Sequence, residues 1–184
     1  MALTHTPDCQ FGTQAPDFCL PGVDGRTWTL DQCKGENGLL VMFICNHCPY
    51  VKAINHLIVR DTKELSDHGI GCVAIMPNDA ENYPEDSFEN MARVARALEY
   101  PFPYLMDETQ EVAKSYGAVC TPDFYGYNAG LELQYRGRLD ETTPGQKPDN
   151  ADRELFNAMV QIARTGKGPE AQIASMGCSI KWRD

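Results

Sequence analysis

Positive charge is scarce in this 184-residue chain: 16 Lys and Arg stand against 26 Asp and Glu, a formal net charge of −10. That balance excludes the clustered basic surface with which proteins grip nucleic acid or anionic lipid, so neither a nucleic acid nor a membrane is expected as partner. Long apolar runs are also missing. The longest, Leu39 to Cys45, has seven residues, whereas a helix needs ~20 to cross a bilayer. No Lys or Arg and no apolar run precede Arg26, so nothing there reads as a secretory signal and a cytoplasmic location is expected. Repeats and low-complexity tracts are absent, and the length lies within the ~100–200 residues usual for one domain. A single domain over 1–184 is expected, with an N-terminal arm at 1–15 and a C-terminal tail at 166–184.

What the chain does carry is eight cysteines. At about 4% they fall short of the roughly 8–10% of a disulfide scaffold, so the core must come from apolar burial. In a chain without an export signal the thiols should be mostly reduced, which turns attention to redox chemistry or metal binding.

The patterning predicts alternating strands and helices. Phe18–Leu20 and Arg26–Thr29 flank the turn-rich Pro21-Gly22-Val23-Asp24-Gly25 and read as a hairpin. Leu39–Cys45 reads as a central strand covered on both faces. Val51, Ile54, Ile58 and Leu65 then share one helical face up to Gly69, and Ile70–Met76 is a second buried strand. A helix is expected over 85–98, a strand over 104–106, and a helix opened by a capping box at Asp107 and Gln110 and stopped by Gly117. Asp123–Tyr127 and Leu131–Arg136 should pair through the Asn128-Ala129-Gly130 turn, and 152–164 should form the last helix. Early alternation implies parallel pairing and the late hairpin antiparallel edge strands, giving an α/β fold with a mixed central sheet between helices.

The sharpest local feature is Cys45-Asn46-His47-Cys48, where the central strand ends and the long helix begins. A thiol at a helix N-terminus ionises below the ~8.5 of a free cysteine, because the dipole and unpaired amides favour an anion. At this spacing the second thiol can attack a mixed disulfide formed by the first. Cys45 is therefore the expected nucleophile with a depressed pKa, and Cys48 the resolving thiol. Protonated His47 would support the thiolate from an exposed position. The same spacing also suits a metal half-site, which His47 or Cys120 would have to complete.

The segment Phe43-Ile44-Cys45-Asn46-His47-Cys48-Pro49-Tyr50 resembles the active site of the thioredoxin superfamily. More narrowly, it resembles the thioredoxin-like branch of the AhpC/TSA (alkyl hydroperoxide reductase and thiol-specific antioxidant) proteins. Pro16-Asp17-Phe18, Asn78-Asp79, Tyr83-Pro84-Glu85-Asp86, Thr121-Pro122-Asp123-Phe124 and Tyr135-Arg136-Gly137-Arg138 are similar in the same order. The resemblance implies a thioredoxin-like fold and a cis proline at Pro122 facing the dithiol, with Thr121 presenting its backbone to an extended substrate. Cys120, one residue earlier, becomes a candidate third redox thiol.

Departures matter too. The commonest thioredoxin site has Trp before the first cysteine and Gly-Pro between the pair, whereas here Ile44 precedes and Asn46-His47 intervene. The peroxiredoxin pattern Pro-x-x-x-Thr-x-x-Cys, set on Cys48, places Cys45 at its threonine and Val41 at its proline, so the hydroxyl that would orient a peroxide is missing. Arg136 and Arg138 are left as candidates to neutralise an oxyanion. Glu81, Glu85 and Asp86 read as helix-capping acids without a catalytic role.

The expected function is a thiol-disulfide oxidoreductase with no bound cofactor. Its partners would be protein or small-molecule disulfides and thiols, with an external thiol reductant. The alternatives are a thiol peroxidase and a metal-binding or metallochaperone module.

Overall fold

The computed structural model describes residues 3–183. Its main sheet has five strands, β4 (Gly38–Phe43), β5 (Ile70–Met76), β6 (Tyr104–Met106), β8 (Asp123–Asn128) and β9 (Leu133–Tyr135), in the order β6-β5-β4-β8-β9. β4 and β6 lie parallel to β5, while β8 is antiparallel to both β4 and β9. Every residue of β4 is buried, as its unbroken apolar run requires of a strand covered on both faces.

Alternate side chains feed two cores. Leu40, Met42, Ala74 and Phe124 pack under α2 (Pro49–Ser66) and α5 (Glu154–Thr165), which contribute Val51, Ile54, Ile58, Leu155, Met159 and Ile162. Leu39, Val41, Phe43, Val73 and Tyr125 pack on the other face against α1 (Leu30–Cys33) and α4 (Glu111–Tyr116). The remaining helix, α3 (Phe88–Ala97), follows a 3₁₀ turn at Pro84–Asp86, and its Ser87 N-cap accepts from the Asn90 amide. A small hairpin, β2 (Cys19–Pro21) with β3 (Thr27–Thr29), stands where the turn-rich segment predicts one.

Beside the short helix α1, which the sequence reading leaves unassigned, two features depart from that reading. Asp107 is not the N-cap of α4, a place taken by Gln110 in a left-handed conformation, φ 64°, but the buried Asp107 carboxylate still accepts from the Ala113 amide in the first turn. The ends of the chain are also more than an arm and a tail. Leu3–His5 (β1) and Met176–Ser179 (β10) pair antiparallel, and β10 pairs on its other edge with Cys120–Thr121 (β7). This second sheet of three strands, β1-β10-β7, brings the C-terminal segment onto the loop before β8.

Candidate active site

β4 ends at Phe43 and α2 starts at Pro49, so Cys45-Asn46-His47-Cys48 forms the connecting loop. The N-cap of the helix is Cys48, so of the two thiols Cys48 stands at the helix terminus and Cys45 lies three residues before it. Pro49 at the first helical position has no amide to leave unsatisfied and a φ suited to the helix. Both thiols are buried, Cys45 at 2% exposure and Cys48 at 0%.

The Thr121–Pro122 peptide is cis, and Thr121 touches both sulfurs. Its Oγ1 lies 3.2 Å from Cys45 Sγ, and its carbonyl oxygen lies 3.2 Å from Cys48 Sγ, which donates to it when protonated. Beside Pro122 is a cavity of about 230 Å³ whose walls include Tyr50, Ile54, Phe124, Leu139 and Met176. Its lining is mainly apolar, with Arg138, Asp140 and Ser175 among the polar residues at its wall.

His47 is neither exposed nor independent. Its Nδ1 lies 2.6 Å from Asp86 Oδ2, with the side chains 13% and 0% exposed, and its ring stacks on Tyr83. The Asp86 carboxylate also accepts from the amides of Asn46 and His47, at 2.8 and 3.3 Å, and from Asn78 Nδ2 at 2.8 Å. Asp86 thus holds the loop between the cysteines by its backbone as well as by the imidazole. Asn46 adds two bonds, accepting from the Tyr104 hydroxyl and donating to the Glu85 carbonyl. The sequence reading treats Asp86 as a helix-opening acid, and its central place here corrects that. The only local signal was its position in Tyr83-Pro84-Glu85-Asp86, similar to the family in that order.

These contacts reverse the expected acidities. The Cys45 thiol is pushed well above the ordinary cysteine value by its hydrogen bond to Cys48, by burial and by the nearby Asp86 charge. Cys48 is pulled down to about 5, chiefly as acceptor of the Cys45 proton, with further help from the Cys178 thiol and the Val51 amide at the helix start. A negative charge at the N-cap of α2 is what the helix dipole favours. The two thiols therefore share one proton, and their titration belongs to the pair.

A third sulfur completes the cluster. Cys178 Sγ lies 2.9 Å from Cys48 Sγ. Cys120, the candidate from sequence, does not reach the pair: its thiol turns to the Pro122 carbonyl at 3.6 Å, because neighbouring strand residues face opposite ways and Thr121 already faces the sulfurs. Arg136 and Arg138 are also engaged elsewhere. Arg136 is paired with buried Asp123 and the Gly117 carbonyl, and Arg138 with Glu154, although Arg138 also lines the cavity beside Pro122.

Among the described residues, no helix is long and apolar enough to cross a membrane. Nothing among curated proteins matches the chain. Among solved structures, it is similar to an uncharacterized conserved protein from Geobacillus kaustophilus, with 46% identity over 100% of this chain and 97% of that one and a TM-score of 0.94. Two more distant structures share the fold. The thioredoxin domain of a thiol-disulfide oxidoreductase from Bacteroides vulgatus has 14% identity over 85% of this chain and 99% of that one, TM-score 0.64. The peroxidoxin BcpB from Mycobacterium tuberculosis has 15% identity over 85% and 97%, TM-score 0.61. The AhpC/TSA family matches residues 11–141, well over half of the chain, and with the thioredoxin-like architecture around Cys45 and Cys48 this makes the protein a member of the AhpC/TSA family.

Proposed function

We propose that this protein is a thiol-disulfide oxidoreductase that cycles between the Cys45/Cys48 dithiol and its disulfide. The observation that carries this reading is the convergence of both sulfurs on Thr121, 3.2 Å from its hydroxyl and its carbonyl respectively. Cys45 passes its proton to Cys48 and attacks a substrate disulfide, releasing one substrate thiolate and forming a mixed disulfide. Cys48 then gives up that proton and attacks Cys45 Sγ, so the second substrate thiol leaves and two electrons have passed to the substrate. The electrons travel through the sulfurs alone, which calls for no bound cofactor, and an external thiol reductant in a cytoplasmic setting restores the dithiol.

Cys45 takes the first step because its proton acceptor, Cys48, is already in place. Thr121 and Pro122 bind the substrate strand, and His47 acts through Asp86 as a positioning residue. A peroxidase reading has less support, since the loop lacks the peroxide-orienting threonine and both nearby arginines are paired.

A metal-binding reading has one observation in its favour. Cys45 Sγ, a ring nitrogen of His47 and a carboxylate oxygen of Asp86 lie within 4.8 Å of one another. Against it, the Asp86 oxygens already accept from two amides and Asn78 while also meeting His47 Nδ1, so a cation would have to displace this network. Turnover of a small disulfide under a thiol reductant, beside peroxide consumption under the same reductant, tests the proposal. Disulfide turnover abolished by Cys45→Ser supports it; peroxide consumption with no disulfide turnover contradicts it. Zinc bound by the reduced protein and lost in Cys45→Ser would favour the metal reading.

A further inference from the structure

We propose that Cys178 is a third redox thiol to which the active-site disulfide migrates, an inference that rests on Cys45 and Cys48 forming a disulfide in the first place. In the step proposed, the Cys178 thiol loses its proton and attacks Sγ of Cys48 in the Cys45–Cys48 disulfide. The Cys48–Cys178 bond forms, the Cys45–Cys48 bond breaks, and Cys45 leaves as a thiolate that takes up a proton. One disulfide and one thiol stand on each side, so no outside oxidant or reductant is consumed.

The geometry supports this at three levels. The two sulfurs are 2.9 Å apart, so closing to a covalent length of ~2.0 Å takes a movement of roughly 0.9 Å. Cys178 is held at that distance by the fold: it is opposite Leu3 on one edge of β10 and opposite Thr121 on the other. The preceding residue must be glycine, because a Cβ on Gly177 would lie 2.1 Å from the Thr121 carbonyl oxygen and 3.0 Å from Pro122 Cδ. Beyond the strand, the Lys181 amide donates to Asn78 Oδ1 and its carbonyl accepts from the Asp79 amide and Gln110 Nε2. Asn78 also donates to Asp86, so the segment carrying Cys178 and the loop carrying Cys45 and Cys48 share one hydrogen-bonded frame.

The reduced cluster holds the Cys178 proton more firmly than the oxidised cluster does. Burial, the hydrogen bond to Cys48 and the Cys48 charge push the Cys178 thiol up to about 12, while Lys181 opposes them. When Cys48 enters a disulfide its charge disappears, and with it two of the three causes. Burial, the largest cause, remains, so oxidation of the pair eases deprotonation of Cys178 in part, and exchange returns Cys45 to the thiol state.

The test is disulfide mapping of the full chain, oxidised with diamide, quenched in acid, alkylated and digested. Wild type must first show the Cys45–Cys48 linkage; its absence overturns the dithiol reading itself. In Cys45→Ser, where Cys178 is untouched, the expected product is the Cys48–Cys178 linkage, lost when Cys178→Ser is added. A Cys45→Ser protein whose Cys48 remains a free thiol, under conditions that fully oxidise the wild-type pair, overturns the proposal. As a second readout, Cys178→Ala and Cys178→Ser should both leave the Cys45–Cys48 linkage as the sole product in oxidised protein and slow the return of alkylatable Cys45. Unchanged Cys45 reactivity in both would likewise overturn it.

Discussion

His47 Nδ1 lies 2.6 Å from Asp86 Oδ2, and this pairing gives the histidine between the cysteines a different task from the one its position suggests. The imidazole is committed to a fully buried carboxylate, and that carboxylate sits close enough to Cys45 to oppose its ionisation. On the proposed reading the histidine acts on the thiol through the acid.

Asp86→Asn should lower the Cys45 pKa, because a negative charge that opposes the thiolate is removed. It should also destabilise the fold by roughly 1–3 kcal/mol, the usual cost when a buried acceptor is replaced by a group that leaves neighbouring donors unmatched. Thiolate ultraviolet absorbance against pH and urea unfolding read the two effects; a pKa that stays put or rises would remove Asp86 from the electrostatics.

His47→Ala should move the same titration upward, since Asp86 then loses a hydrogen-bond partner and its charge acts on Cys45 with less compensation. The effect should vanish in an Asp86→Asn background. A double-mutant cycle on the thiolate pKa measures this coupling. Equal shifts in both backgrounds would mean that the imidazole acts on Cys45 directly.

Gly177→Ala should cost stability on the order of 1–3 kcal/mol, as overpacking against an immovable neighbour does, because the added carbon meets the backbone of Thr121 rather than a flexible side chain. It should also lift β10 away from the pair. Urea midpoints, with alkylation of Cys178 in the folded protein, test both. Wild-type stability together with an unreactive Cys178 would show that β10 does not depend on that close approach.

The acidities also set a pH dependence. Cys48 is held at about 5 against an unfolded value of 9.0, so between those limits the unfolded chain binds the extra proton and stability of the reduced protein rises with pH. Cys45 and Cys178 are raised and act in the opposite sense, favouring the folded state until pH passes the unfolded value of 9.0. Reduced wild type should therefore gain stability relative to Cys48→Ser as pH climbs from about 5 towards 9, and fall above that. A pH-independent difference between the two would contradict the charge on Cys48.

The sheet was legible wherever one covalent segment carries the whole signal. Leu39–Phe43 and Ile70–Met76 are unbroken apolar runs, and Val51, Ile54, Ile58 and Leu65 repeat at helical spacing. The dithiol was legible for the same reason, since both sulfurs lie within four residues. Asp86 and Cys178 were not, because their partners lie 39 and 130 residues away, and neither residue differs locally from a capping acid or a solitary cysteine. β10 is only Met-Gly-Cys-Ser, too short and too small-chained to announce a strand, and its place is fixed by β1 and β7 on either side. Cys120 attracted attention by adjacency to Thr121-Pro122, yet adjacency in a strand sends the side chain to the opposite face.

On the proposed function, the sulfur cluster around Cys48 carries two electrons reversibly. Equilibration of the full chain in glutathione buffers of graded poise, followed by acid quenching, alkylation and peptide mass mapping, tests it most directly. One two-electron transition is expected, in which the loss of Cys48 thiol equals the summed loss of Cys45 and Cys178 thiols, while buried Cys33 stays reduced. Cys45 and Cys48 remaining thiols across the whole range, or Cys45 ending as a glutathione adduct beside a free Cys48, would contradict it.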